Sequence, residues 1–199
     1  MADLEKTGKN LERRGFRVHR FASGAEAAEF LVQTLHGTSI GIGGSVTIDT
    51  LGVYDRLCGS NEVFWHWKNH APETRERAGK AETYLCSANG VSETGEIVNI
   101  DGFGNRVAGT IYGPERVFLV VGRNKIAPDL TGAIDRARNI AAPLNARRLS
   151  RHTPCAVGEP RCHDCRSPEK VCGVMTVFFM PPTSIKEFHV ILVDEDLGY

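Results

Sequence analysis

The sequence predicts a doubly wound α/β domain built on a mostly parallel sheet, with a cysteine-rich loop before the last strand. Three observations carry this expectation. Short runs rich in β-branched and aromatic residues alternate with helical patterns, as crossovers between parallel strands require. Two of these runs, "TYLCSA" and "RVFLVVG", are apolar without alternation, the pattern of strands buried on both faces. Finally, 199 residues are most simply one domain with its own core, and no internal repeat or low-complexity tract divides them.

The elements follow in order. Residues 1–15, "MADLEKTGKNLERRG", are charged throughout and read as an N-terminal amphipathic helix, not a signal peptide. "FRVHRF" is a first strand. The helix after it opens on "SGAE", where Ser23 caps and Glu26 reaches back in a capping box. "TSIGIGG" is a second strand ending in glycines, followed by a helix over "VTIDTLGVYDRL". "EVFWHW" is a third strand, after which Pro72 suits the first turn of a helix in "PETRERAGKAE". "TYLCSA" and "RVFLVVG" are the next strands, separated by a long polar, glycine-rich connection. A helix through "DLTGAIDRARNIAA" stops near Pro143. Residues 152–174 form the cysteine-rich insertion, and "FHVILVDEDLGY" supplies the last strand.

Composition narrows the function. The 24 basic residues balance 24 acidic ones, so the totals point to neither nucleic acid nor an anionic membrane surface as a partner. The longest apolar runs are far shorter than the roughly 20 residues that span a bilayer. The expected compartment is the cytoplasm, where structural disulfides are rare and clustered cysteines point to metal chemistry instead.

Ligands of open α/β sheets bind beyond the carboxyl ends of the strands. Three polar, glycine-bearing segments fall there: Gly43–Thr47, Ser87–Arg106 and Gly122–Lys125. If their strands are neighbours, the three share one crevice. In "GIGGSVT", Gly43 and Gly44 allow close backbone approach to an anion, and Ser45 and Thr47 add hydroxyls at a helix start. The segment is not a Walker loop, since no "GK[ST]" follows, and a tight turn with a capping serine is its plainer reading. In "NIDGFGNR", Asn99, Asp101, Asn105 and Arg106 crowd around Gly102 and Gly104. Arg106 can clamp an anion bidentately, and Asp101 can serve as a general base or hold a hydroxyl. A turn with Asx hydrogen bonds is the alternative. "GRNK" adds Arg123, Asn124 and Lys125 at the end of a buried strand. In "FWHWKNH", Trp65 and Trp67 alternate with His66 and Lys68, which makes His66 a candidate acid or base if that face meets the crevice.

Cys155, Cys162, Cys165 and Cys172 are spaced C-x6-C-x2-C-x6-C, four sulfurs within eighteen residues. Four thiolates close a tetrahedral zinc site or hold an iron–sulfur cluster, and the spacing matches neither the zinc ribbon nor the ferredoxin run. Zinc or an iron–sulfur cluster is therefore the expected cofactor. The remaining pair, Cys58 and Cys86, read as core or near-core thiols.

The whole chain resembles the lactate-utilisation (LUD, DUF162) proteins, particularly a stand-alone bacterial type. The stretches that carry the resemblance are "GIGGSVTIDTLG", "VFWHWKN", "GEIVNIDGFGNRVAGTIYGPERVFLVVGRNKI", "RNIAAPLNARRL", the four cysteines after "TPC", and "VILVDEDLGY". It implies a single LUD domain over residues 1–199, with the fold of ribose-phosphate isomerases, glucosamine-phosphate deaminases and coenzyme A transferases. That fold often pairs subunits, so a homodimer is one expectation. It also implies an accessory or substrate-handling part in L-lactate (hydroxy-acid) oxidation beside iron–sulfur subunits. This chain lacks the dense "CxxCxxCxxxCP" runs of the ferredoxin-like subunits.

Within that fold, Ser87-Ala88-Asn89 stands where the isomerases carry a catalytic aspartate, which argues against isomerisation by that route. Coenzyme A transferases use a glutamate nucleophile, for which Glu93 or Glu96 can be nominated. The alternative to the lactate role is a stand-alone enzyme or binding protein for a small phosphorylated or coenzyme A-linked metabolite. Whether the chain is a catalyst stays open at this point. A small, anionic ligand is common to both.

Overall fold

The computed structural model describes residues 3–199, so the first two residues of the expected N-terminal helix lie outside the described residues. Helix α1 (Leu4–Arg13) leads into strand β1 (Arg17–Phe21), and helix α2 (Gly24–Thr34) crosses to β2 (Ser39–Ile42). Helices α3 (Val46–Thr50) and α4 (Tyr54–Cys58) lead to β3 (Glu62–Trp65), and α5 (Thr74–Lys80) leads to β4 (Thr83–Cys86). Strands β5 (Gly90–Ser92) and β6 (Ile97–Asp101) and helix α6 (Asn105–Ile111) precede β7 (Arg116–Gly122). After β8 (Ile126–Ala127) come α7 (Leu130–Arg136), a π turn over Ala137–Ala141, α8 (Ala142–Arg148) and the single turn α9 (Pro154–Val157). Strands β9 (Val174–Phe178) and β10 (Glu187–Val193) finish the chain.

The main sheet is six-stranded and wholly parallel, in the order β1-β10-β7-β4-β2-β3. Its central strands show why unbroken apolar runs belong there. Successive side chains point to opposite faces. Phe118, Val120, Ile191 and Val193 thus pack with Leu31, Leu35, Ile48 and Leu57 under α2, α3 and α4. Val117, Leu119, Val121, Val190 and Leu192 pack on the other face with Leu11 of α1 and with Val91, Ile97 and Phe178. At about 25 cal/mol per Å² of apolar surface removed from water, these two layers dominate stability. The fold is a doubly wound α/β domain.

The sequence expectation for the long polar connection requires correction. Residues 87–106 are not a loop: β5 and β6 join β8 and β9 in a second, four-stranded sheet ordered β8-β5-β6-β9. Its far face carries Val98, Ile100, Met175 and Val177 against Ala133, Ala137 and Ala142.

Local boundaries also differ for identifiable reasons. "VTIDTLGVYDRL" forms two short helices, because Gly52 between them adopts φ +63. The third strand ends at Trp65, two residues early. The helix expected to stop near Pro143 instead runs on through α8. The N–H of Ala142 reaches back five residues to the Ala137 carbonyl, and this wider turn accommodates a proline that supplies no N–H. The Ser23 cap forms as expected, accepting from the Glu26 N–H at 3.2 Å. Glu26 reaches back one residue further, to the N–H of Ala22 at 3.0 Å. Among the described residues no helix is long and apolar enough to cross a membrane.

Candidate functional site

Strands β2, β4 and β7 are adjacent in the sheet, so the segments that leave their carboxyl ends converge. They enclose a cavity of about 820 Å³, closed on other sides by the β6–α6 turn, α8, the cysteine segment and Tyr199. Of the residues expected at a ligand, Gly44, Ser45, Thr47, Asn89, Asp101, Gly102, Asn105, Arg106 and Lys125 line it, as does His66. Seven lysines and arginines face the space against three carboxylates, which makes it a receptacle for negative charge.

Lys125 forms the floor. It is buried, and its Nζ donates to Thr47 Oγ1 at 2.8 Å and to Ser87 Oγ at 2.9 Å. Those hydroxyls in turn donate to the carbonyls of Leu197 and Ala88. Among the described residues no carboxylate pairs with the amine. Burial therefore holds its pKa well below the ordinary lysine value, and the Arg136 and Arg106 guanidiniums push it the same way. A cation left without a counter-ion inside a fold is costly, unless a ligand supplies the missing charge.

Arg106 is tied to the Asn89 Oδ1 at 3.0 Å and to the carbonyl of Ile100. Its Nε is buried without a partner. Asp101 accepts from the backbone N–H groups of Arg106 and Val107 at 3.0 and 3.2 Å, so one of its oxygens caps α6. These bonds reach five and six residues along the chain, so Asp101 caps the helix and does not close the Asx turn that the alternative reading of "DGFGN" described. Ser45 likewise caps α3 through the Ile48 N–H at 3.2 Å.

Other expected residues lie elsewhere. Gly43 packs behind the cavity, where a Cβ would stand 3.0 Å from the Tyr84 hydroxyl. Asn99 is buried in β6 with both amide atoms unpartnered, and Gly104 serves the turn at φ +92. Arg123 is exposed and pairs with Asp194 and Asp196. Asn124 binds the chain end, accepting from the Leu197 N–H and donating to the Gly198 carbonyl, both at 3.1 Å. Glu93 stands outside the cavity, paired with Lys6 at 2.9 Å, and Glu96 binds Arg14, Ser92 and Thr94. Neither carboxylate is placed to act as a nucleophile in this cleft.

His66 lines the cavity, but burial depresses its pKa to about 4, with Arg75 adding to the effect and Asp101 opposing it. It is neutral at physiological pH. The sign of the linked stability follows: between pH 6.5 and about 4 the unfolded state binds the proton and the folded state resists it, so stability is lost as pH falls. Replacing His66 with glutamine is expected to shrink the drop in urea midpoint between pH 7 and pH 5. An unchanged drop would mean that other groups govern it.

The sequence reading missed Arg136, Arg148 and Tyr199. Arg136 is buried, donating from Nε to the Asn124 carbonyl at 2.7 Å and from Nη1 to the Asn89 carbonyl. Arg148 lies over the Trp67 ring at 4.5 Å and donates to the Tyr199 hydroxyl at 2.7 Å. Only the arginine-rich run of α8 hinted at this. The last turn of chain is held where Gly198 adopts φ +59 and a Cβ would come within 2.6 Å of Thr47 Oγ1.

Fold and cleft together define an open α/β protein with a cation-lined pocket at the carboxyl ends of its central strands. The chain belongs to the LUD domain family, whose model matches residues 4–193, a family associated with lactate utilisation. No curated protein matches it. Among solved structures it is similar to the crystal structure of a DUF162 family protein from Deinococcus radiodurans. That likeness has a TM-score of 0.56 and 14% identity, covers 96% of this chain and 95% of the other, and shows the fold alone.

Proposed function

We propose that the protein is a substrate-handling component of L-lactate or related hydroxy-acid utilisation, and that its cavity binds a small anionic metabolite over Lys125. The observation that carries this reading is the buried amine of Lys125, partnered among the described residues by the hydroxyls of Thr47 and Ser87 alone. A carboxylate placed there supplies the counter-charge the fold omits, with Arg106 as a second donor. Family membership supplies the hydroxy acid; the pocket supplies the preference for an anion. Iron–sulfur subunits of lactate oxidation are the partners this reading expects.

A second reading rests on size. A cavity of about 820 Å³ with seven cations exceeds what a three-carbon acid fills. It suits a phosphorylated or coenzyme A-linked metabolite, whose several negative charges would engage Lys125, Arg106 and the rim arginines together.

A thermal-shift comparison separates the two. L-lactate, glycolate and pyruvate form one panel; sugar phosphates, coenzyme A and its thioesters form the other. The first reading expects a rise in melting temperature with the hydroxy or keto acids, and Arg106→Ala is expected to weaken that binding roughly 10-fold or more. A response confined to the phosphorylated panel transfers the assignment to the second reading. Silence from both panels would defeat each of them.

A further inference from the structure

Cys155, Cys162, Cys165 and Cys172 line a second cavity of about 250 Å³, which shares Ile100, Ala142, Lys170 and Val171 with the first. Among the described residues no three His, Cys, Asp or Glu side chains are grouped so that they could hold a metal ion, so the expected zinc or iron–sulfur cluster finds no fit there. The nucleophile that the anion cavity does hold is an amine.

The hydrogen bonds of Lys125 leave one lone pair free. A neutral amine has two N–H bonds and a single lone pair. The hydroxyls of Thr47 and Ser87 accept from Nζ at 2.8 and 2.9 Å, and their own hydrogens go to the carbonyls of Leu197 and Ala88. Both N–H bonds are thus used, and among the described residues no donor meets the lone pair. Burial, with Arg136 and Arg106 beside it, holds the pKa of the amine well below the ordinary lysine value. A lysine desolvated next to other cations is the form of this side chain that attacks carbonyl carbon. At 3% exposure on the cavity floor, Lys125 meets only a molecule that enters the cleft.

The surroundings select one class of carbonyl compound. Arg106 lines the same cavity, and its Nε is buried without a partner among the described residues, which leaves it a donor for a carboxylate. We infer that Lys125 forms a Schiff base with the keto carbon of a small 2-keto acid whose carboxylate Arg106 holds. This rests on the reading of the cavity as a site for hydroxy and keto acids. The amine nitrogen adds to the carbonyl carbon, and the two amine hydrogens then leave with the carbonyl oxygen as water. A C=N bond replaces the C=O bond, and nothing is oxidised or reduced. The Thr47 and Ser87 hydroxyls, both in contact with Nζ, are placed to carry the protons. Protonation of the imine leaves a cation that the carboxylate of the ligand neutralises. A hydroxy acid has no carbonyl carbon and binds through its charge alone, so the site tells an oxidised acid from its reduced partner.

The test is reductive trapping of the full chain with pyruvate and cyanoborohydride at neutral pH, read by intact mass and peptide mapping. The expected result is a single adduct on Lys125 with the mass of pyruvate less one oxygen atom. L-lactate under the same conditions is expected to give none, and Lys125→Arg, which keeps the positive charge, to lose the pyruvate adduct. Wild-type protein decides the matter without reference to the folding of any variant. Adducts spread over exposed lysines such as Lys9 and Lys80, with none on Lys125, overturn the inference. A rise in melting temperature with pyruvate but no Lys125 adduct overturns the Schiff base and leaves the anion site standing. Neither adduct nor shift with pyruvate or L-lactate overturns the Schiff base and the hydroxy-acid reading together.

Discussion

Lys125→Met is expected to raise the melting temperature of the ligand-free protein while weakening anion binding roughly 10- to 150-fold. The two effects have one cause. The amine sits in the fold without a carboxylate, its charge opposed by burial and by the Arg136 and Arg106 guanidiniums. Methionine keeps the length and removes the charge. The Thr47 and Ser87 hydroxyls still have the Leu197 and Ala88 carbonyls to donate to, so the exchange strands no buried donor. Replacing a poorly compensated buried ion with an apolar side chain gains about 1–2 kcal/mol, or roughly 2–8 °C for a chain of this size. The binding loss corresponds to one charge-assisted hydrogen bond of about 1.5–3 kcal/mol.

The pH dependence gives a second handle. Between the depressed folded value and the ordinary lysine value of 10.5, the unfolded chain holds a proton that the folded chain has released. Wild-type stability therefore gains with rising pH across that window, and the advantage of Lys125→Met shrinks. Anion binding runs the other way. The ligand draws a proton back onto the amine, so affinity weakens as pH rises. Thermal melts and calorimetry over a pH series check both signs, and a variant that loses stability at neutral pH would refute the account.

Arg136→Leu is expected to do the opposite to stability. This neighbour is also buried, and burial lowers its pKa to about 10, which leaves it charged at neutral pH. Unlike Lys125, it is satisfied by protein: the Asn124 and Asn89 carbonyls accept its Nε and Nη1. These carbonyls belong to the segments leaving β7 and β4, so Arg136 ties together two walls of the cavity. Leucine leaves both acceptors without a donor and costs about 2–5 kcal/mol, a fall of roughly 4–20 °C. Ligand affinity falls with it, because Lys125 and Asn89 lose their mutual placement. An unchanged melt would show that solvent replaces the guanidinium. Two neighbouring buried cations thus respond with opposite signs, one kept for a ligand and one for the scaffold.

Much of the frame was legible in the residues. The unalternating runs of β4 and β7 announced strands covered on both faces, and burial of Leu119 and Val120 in separate layers realises that pattern. Strand ends followed by Gly43, Ser87 and Gly122 located the cleft. The short strands β5, β6 and β9 were not legible: β5 and β6 are only three and five residues long and lie among turn formers, and β9, although apolar, follows directly on the cysteine segment. They become strands only by pairing with one another and packing Val98 and Ile100 against α7.

The site divides in the same way. Residue type and spacing alone marked Lys125, Arg106 and the four cysteines, since unusual polar density and repeated thiols are visible in one dimension. The exclusion of Glu93 and Arg123, the recruitment of Arg136 and Arg148, and the wall shared between cysteine segment and cavity were decided by the tertiary structure. Each depends on which side of a strand end a side chain leaves and which distant segment it meets there. Local pattern sets what a residue can do; only the packing of parallel strands decides which residues do it together.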